Sequence, residues 1–495
     1  METPGRESRH PRAAQVCRSC KLRKRKCDKA LPKCSSCARK QIVCEYVENV
    51  RSKPHSPVAS SDRWWETSPV NQVLDFPTLL FLDPALLRHG QVETGRVAAP
   101  LSSQILQLLG DADDIRKTAY QFFDHVHQWM PFISKKRFEG LDLPSSFQSR
   151  PDIALLLLGL KLITTFPPVG LQTTRTPLYH ATKHFYLEVE GSSVFSISVL
   201  QAGVLIALYE LGHGIYPAAF LSVGACARYA HALGIGAGPT VQTSRVLTMV
   251  EVEERKRVWW AIVILDRFVS IGCPGRLFTT ADPRLDDLLP ANDAAWDQGI
   301  LGPDDCSPLS SPMTRHMSKF ALLCQAARLL GQVLRHVSNE SVVLDDSWMQ
   351  LDRTLQSMLA ACLDVDSPDY DQITFVYSTL VALHAPWFSS DCSNAVNAER
   401  IRCARSVLEK VTDRIGANLV ERQCFLGRDP ADLSPWGLFF AYQICGAHMR
   451  APERSAPLLE VVRCLKEGLL AINVRWKAAG VYLQLLEAQE AIRFS

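Results

Sequence analysis

Apolar positions recur along most of this chain at steps of three and four. In MSKFALLCQAARLLGQVLRHV, residues Met317, Phe320, Leu323, Ala327, Leu330, Leu334 and Val337 fall on one helical face. The same period runs through 152–166, 178–190, 197–211, 217–233, 246–271, 346–362, 398–417, 436–449 and 455–492. Turns rich in Gly, Pro and Asp separate these stretches, and no period-two alternation or fixed-length repeat accompanies them. The pattern predicts a large all-α helical domain over 113–495. Within it, Val258, Ile262, Leu265 and Val269 face the core, while Arg255, Lys256 and Arg257 lie at the surface or in ion pairs.

The helical period is missing from the first part of the chain. After Cys44 comes EYVENVRSKPHSPVASSDRWWETSPVNQVLDFP, where prolines at 54, 57, 69 and 77 and scattered serines predict a Pro/Ser-rich linker over 47–112. The prolines break any helix there, and no apolar heptad is present to build a coiled coil. Trp64 and Trp65 are expected to anchor this linker on the helical domain. Residues 1–16 are expected to form a disordered tail.

An apolar content of 47% over 495 residues is enough for a large core. The longest apolar run, Ile153 to Phe166, is too short to span a bilayer and contains Lys161. No apolar secretory segment precedes the first cysteine, so a soluble intracellular protein with no membrane partner is expected. Sixteen cysteines in a reducing compartment then point to metal where they cluster and to packing where they scatter. The ten from Cys226 to Cys464 contain no CxxC and are expected to be buried small apolar side chains.

Charge sharpens the division. The chain is only +3, yet residues 17–44 hold ten Lys or Arg against one acid, and everything after residue 44 sums to −7. A small basic head precedes a mildly acidic body.

Within that head Cys17, Cys20, Cys27, Cys34, Cys37 and Cys44 spell one spacing twice: CxxC, six residues, Cys. Thiolates of a CxxC converge on one ion, and zinc takes four ligands in tetrahedral geometry. Two separate three-cysteine sites would each be a ligand short, whereas two zinc ions sharing two bridging thiolates are both satisfied. Some 30 residues cannot bury enough surface to fold alone, so the metal is expected to supply the stability. Between the first cysteines lies KLRKRK, whose packed charges need a countercharge. DNA phosphate supplies one, with release of condensed counterions. Taken alone, the run also fits a nuclear import signal or a solvated charge run.

The six cysteine positions resemble the fungal binuclear zinc cluster family of DNA-binding regulators. That resemblance implies two zinc ions with Cys17 and Cys34 bridging, and places Pro32 in the turn joining the two halves. It implies DNA contact by Arg18, Lys21, Arg23, Lys24, Arg25 and Lys26, with Arg23 and Lys24 reaching base edges in the major groove of CGG-like triplets and Arg18, Lys33, Arg39 and Lys40 nearer phosphate. Three further stretches resemble the regulatory (middle homology) domain that accompanies this cluster, over roughly 115–290. They are FFDHVHQWMPFISKKRF from Phe122, the pair LQAGVLIALYELGHG and AAFLSVGACARYAHALGI, and EERKRVWWAIVILDRFVSIGCPGRLF from Glu253 to Phe278.

The expected function is a nuclear transcription factor, an activator of RNA polymerase II genes, with double-stranded promoter DNA, the transcription machinery or a co-regulator, and a second copy through the helical body as partners. Control of a specialised-metabolite gene cluster follows by analogy with relatives of similar length. A repressor, or a zinc-dependent RNA or general nucleic-acid binder, is the alternative; the head lacks aromatic residues for stacking bases, Tyr46 being the nearest. An enzyme is not expected, since the chain has no P-loop, GxSxG, HExxH or GxGxxG, and GIGAG at Gly234 is too short. Asp266 and Arg267 are expected to be structural hydrogen-bonding partners, and His125 and His127 to point to different faces.

Overall fold

Polar side chains just ahead of the apolar stretches set where helices begin. Asp111 accepts from the Asp113 and Asp114 amides while Asp114 accepts from that of Asp111, and Thr248 and Glu251 form the same reciprocal box ahead of the Met249–Phe268 helix. Ser102, Thr176, Ser318 and Asp369 cap Ser103–Leu109, Pro177–Glu190, Lys319–Ser338 and Tyr370–His384.

The computed structural model describes residues 13, 15–46 and 101–494, except 142–148, 169–172, 193, 237–246, 303–304, 312–316, 340–346, 365–368, 389–397, 421–428 and 451–455. The chain divides into two units, 1–72 and 73–495. Most of the expected linker, with Trp64 and Trp65, and most of the N-terminal tail lie outside the described residues, as do Cys392 and Cys424.

The second unit is helical, and among its described residues no strand forms; an isolated antiparallel bridge pairs Leu288 with Pro308. At its centre Ile197–Gly212 is buried at all 16 positions and packs against Pro151–Thr164 and Ala218–Ala232. Met249–Phe268, Lys319–Ser338, Ser347–Leu363 and Tyr370–His384 continue the same core. No helix among the described residues is long and apolar enough to cross a membrane.

Three departures from the sequence reading have physical causes. Helical structure begins at Ser103–Leu109, inside the stretch assigned to the linker; only Ile105 and Leu109 of that short helix are buried, too few to register as a period. Tyr370–His384, with 13 of its 15 residues inside, was invisible to periodicity because its buried Gln372, Thr374, Ser378, Thr379 and His384 read as polar positions. Its β-branched Ile373, Thr374, Val376, Thr379 and Val381 are indifferent helix formers, so packing holds it. The stretch 455–492 is two helices, Ala456–Ile472 and Ala478–Phe494, broken at a segment that buries Arg475 and Trp476.

Buried charge ties the elements together. Arg257, expected at the surface or in an ion pair, is fully buried: it pairs with Glu253 at 2.9 Å and Asp293 at 2.8 Å and donates to the Pro131 and Ala291 carbonyls. Its guanidinium lies 4.1 Å from the Trp296 ring centroid. Asp266 and Arg267 are structural partners: Asp266 accepts from the Thr279 and Thr280 amides, and Arg267 reaches Asp266 at 2.7 Å and the Thr280 and Ala281 carbonyls. His125 and His127 diverge, to Asp432 and Asp297. Of the scattered cysteines, Cys226, Cys324, Cys362 and Cys445 are buried as expected, but Cys273 is exposed in the turn after Met249–Phe268, and Cys306, Cys403 and Cys464 are half-buried.

Candidate metal centre and nucleic-acid interface

The head builds one unit twice. Cys17 and Cys34 sit in extended conformation at the N-caps of Arg18–Leu22 and Ser35–Arg39, and the CxxC spacing puts Cys20 and Cys37 in the first turn behind them, buried. Each short helix closes the same way: the Lys24 amide donates to the Lys21 carbonyl and Arg25 to Cys20, and Gln41 donates to Ala38 and Ile42 to Cys37. These pairs are the two bonds of a Schellman motif. The chain then returns to deliver Cys27 in the first half and Cys44 in the second.

Side chains to which the sequence assigned no structural role hold the halves in place. Asp28 accepts from the Ser35 amide at 3.1 Å and so supports the second helix from the first half. Ser19 donates to the Val43 carbonyl at 2.6 Å, and the Arg18 amide to the Glu45 carbonyl at 2.8 Å. Tyr46 packs against the cysteines and donates to the Ala30 carbonyl at 2.9 Å. These are contacts between the two halves, and no local sequence signal marks them.

The sulfurs converge. Cys17, Cys20, Cys27 and Cys34 form one quartet and Cys17, Cys34, Cys37 and Cys44 another, each with ligand atoms within 4.8 Å of one another. Cys17 and Cys34 belong to both. Their sulfurs are 3.7 Å apart; Cys20 lies 3.7 Å from Cys34, Cys37 3.7 Å from Cys17, and Cys27 3.8 Å from Cys17. A tetrahedral zinc with Zn–S near 2.3 Å sets sulfurs about 3.8 Å apart, so the donor set fits this ion. Among the described residues no other group of three or more His, Cys, Asp or Glu side chains gathers in this way.

Packing the thiols together disfavours their charged forms. Burial pushes Cys17 upward and Cys34 up to about 12. At Cys27 burial acts in the same direction, but hydrogen bonds from the Cys17 and Lys29 backbone and from the Cys34 and Cys17 side chains outweigh it and bring the thiol to about 7. The Cys34 amide donates to Cys44 Sγ at 3.3 Å and that of Cys37 to Cys34 Sγ at 3.4 Å, bonds that favour thiolate. A divalent cation displaces the remaining protons and gives the thiolates their countercharge.

The basic side chains face outward. Arg18 and Lys21 lie on the first helix, Arg23 at its C-cap, and Lys24, Arg25 and Lys26 on the turn returning to Cys27; all six are exposed. Arg18 stands 4.0 Å from Glu45, while among the described residues no carboxylate pairs with the other five. Lys33, Arg39 and Lys40 are exposed on the second half. The stretch between Cys20 and Cys27 thus displays five cations.

Comparison with known proteins agrees with this geometry. Residues 15–53 match the Fungal Zn(2)-Cys(6) binuclear cluster domain, and residues 119–362 match the Fungal specific transcription factor domain. The transcription factor BOA15 of Botryotinia fuckeliana is 38% identical over 161 residues, which cover 32% of this chain and 86% of that protein. The citrinin biosynthesis transcriptional activator mrl3 of Monascus ruber is 21% identical over 75% of this chain and 83% of its own length. The azaphilone cluster-specific transcription factor azaR of Aspergillus niger is 23% identical over 70% of this chain and 78% of its own. No solved structure matches. With a paired cysteine cluster, an exposed basic turn and a large helical unit on one polypeptide, this chain belongs to the fungal Zn(2)-Cys(6) zinc cluster transcription factors.

Proposed function

We propose that the chain is a nuclear, sequence-specific activator of RNA polymerase II genes in a biosynthetic cluster, and that its head binds duplex DNA at CGG-like triplets. The observation that carries this reading is the sharing of Cys17 and Cys34 between two sulfur quartets, in a head whose exposed turn Arg23–Lys26 closes on the Cys20 carbonyl. Two zinc ions held by Cys17, Cys20, Cys27, Cys34, Cys37 and Cys44 fix that turn. Arg23 and Lys24 donate to the O6 and N7 acceptors of guanine, and Arg18, Lys21, Arg25 and Lys26 neutralise phosphates. Residues 17–46 read the DNA, 47–112 act chiefly as a spacer, and 113–495 convey the regulatory state. The role in a biosynthetic cluster rests on the relatives, two of which are named for citrinin biosynthesis and an azaphilone cluster.

An RNA-binding role is less well supported, because Tyr46, the aromatic residue nearest the basic turn in sequence, is half-buried with its hydroxyl committed to Ala30. In-vitro selection from a random duplex library tests the proposal, with zinc-loaded residues 1–75 run beside the full chain. A single enriched CGG-like triplet from the fragment, becoming a pair at fixed spacing with the full chain, is the expected result and reports pairing through the body. No enrichment from either, with zinc bound, identifies the head as a general polyanion binder.

A further inference from the structure

Among the described residues, the helical unit buries a cation that has no counter-ion. Arg475 is 1% exposed, in the break between Ala456–Ile472 and Ala478–Phe494. One nitrogen, Nη2, donates to the Ile163 carbonyl, and Nε and Nη1 have no partner. The other two fully buried arginines among the described residues differ: Arg257 has Glu253 and Asp293, and Arg267 has Asp266. The rings of Trp476 and Phe166, with centroids 4.0 and 5.3 Å from the guanidinium carbon, offset part of the desolvation. They leave the charge itself unbalanced, and burial pushes the guanidinium down to about 9.

Arg475 lines a cavity of about 560 Å³, a size typical of small-molecule sites. Lys117 and Lys161 add positive charge to its wall, and His125 pairs with Asp432 at 2.7 Å. Two carboxylates also stand in the wall, Asp114 accepting from the Asp111 amide at 3.3 Å and Asp429 from that of Ala431 at 2.9 Å; these bonds orient them and leave three cations, Lys117, Lys161 and Arg475, against two acids. Phe166 supplies a partly exposed aromatic face beside the guanidinium. The lining comes from four distant parts of the sequence, so only the folded unit presents it.

We propose that this cavity binds a small organic carboxylate, with Arg475 receiving the anionic group, Lys117 and Lys161 drawing it in, and Phe166 lying against its flat apolar body. The inference goes beyond the DNA-binding reading and does not depend on it. It gives the buried guanidinium a countercharge that the described residues do not supply.

The test is titration calorimetry of the zinc-loaded full-length chain with benzoate, beside benzamide as the neutral isostere and inorganic phosphate as an anion without a flat body. The expected result is saturable binding of one benzoate per chain, with benzamide and phosphate each weaker by roughly tenfold or more. Arg475→Met should abolish benzoate binding while holding or raising Tm, because it removes a buried charge. Should that variant fail to fold, Lys117→Gln, at the exposed rim, should weaken benzoate severalfold with Tm unchanged. No saturable benzoate binding at millimolar concentration, equal binding of benzamide or phosphate, or benzoate binding unaltered in the folded variants would overturn the proposal.

Discussion

Lys24 and Gln41 occupy the same place in two copies of one turn. Each follows the C-cap of its short helix with a left-handed backbone, at φ 47° and 50°. Glycine is the usual residue there, since a side chain in this region costs roughly 1–2 kcal/mol. Gln41 is exposed, and its backbone conformation carries that cost. Gln41→Gly should therefore stabilise the zinc-loaded head by about 1 kcal/mol. Chelator competition checks this: the concentration that removes half the zinc should rise severalfold, and a fall would show that the glutamine side chain is itself needed.

Lys24 separates backbone from side chain in the same way. Lys24→Gly relaxes the left-handed turn while deleting the ammonium, so a loss of binding cannot be ascribed to a damaged head. Affinity for the preferred DNA site should fall by roughly 1–3 kcal/mol, with sequence preference relaxed at one position. Electrophoretic mobility shifts on matched and scrambled duplexes measure both. An equal loss on the two duplexes would make Lys24 a phosphate contact only.

The shared sulfurs predict unequal effects among the cysteines. Cys27 serves one quartet and Cys34 both, so Cys27→Ala should leave one quartet complete whereas Cys34→Ala leaves none. Metal analysis by native mass spectrometry should give two zinc ions for the parent head, fewer for Cys27→Ala, and the lowest occupancy with unfolding for Cys34→Ala. Full zinc content in Cys34→Ala would dismiss the shared arrangement.

How much of this was legible in the chain depended on whether the signal was local. The cysteine spacing is local, and the six sulfurs do converge. Period 3.6 located Lys319–Ser338 because it sets a buried face against partly exposed positions, and Met249–Phe268 through its apolar second half, which is buried all round from Trp260. It failed for Tyr370–His384, whose buried Gln372, Thr374, Ser378 and Thr379 read as polar positions, and for Ser103–Leu109, which is too short. The supports of the head were hidden for another reason. Asp28 capping Ser35, and Tyr46 reaching Ala30, are partners fixed by tertiary structure. Arg257 was ambiguous because a charged residue in an amphipathic pattern reads as surface until its buried carboxylate is located.

His213 gives the helical unit a definite pH dependence. It is fully buried at the end of Ile197–Gly212, its ring 4.1 Å from that of Tyr209, with Nδ1 accepting from the Lys477 amide at 3.3 Å and Nε2 unpaired. Burial, and then the charges of Arg475 and Lys477, hold its pKa well below the ordinary 6.5. Above that value the imidazole is neutral in both folded and unfolded chains and stability is unaffected. As pH falls below it, the unfolded chain takes up a proton that the folded chain refuses, so stability falls, by up to about 1.4 kcal/mol per pH unit from this group alone, until the folded pKa is reached. His213→Gln keeps an acceptor for Lys477 and removes the titration. Urea unfolding followed by tryptophan fluorescence between about pH 7.5 and 5.5 should show the parent losing stability more steeply than the variant, the gap between them narrowing as pH falls. A gap constant with pH would mean that His213 takes up its proton equally in both states, and that its burial does not govern the acid sensitivity of the fold.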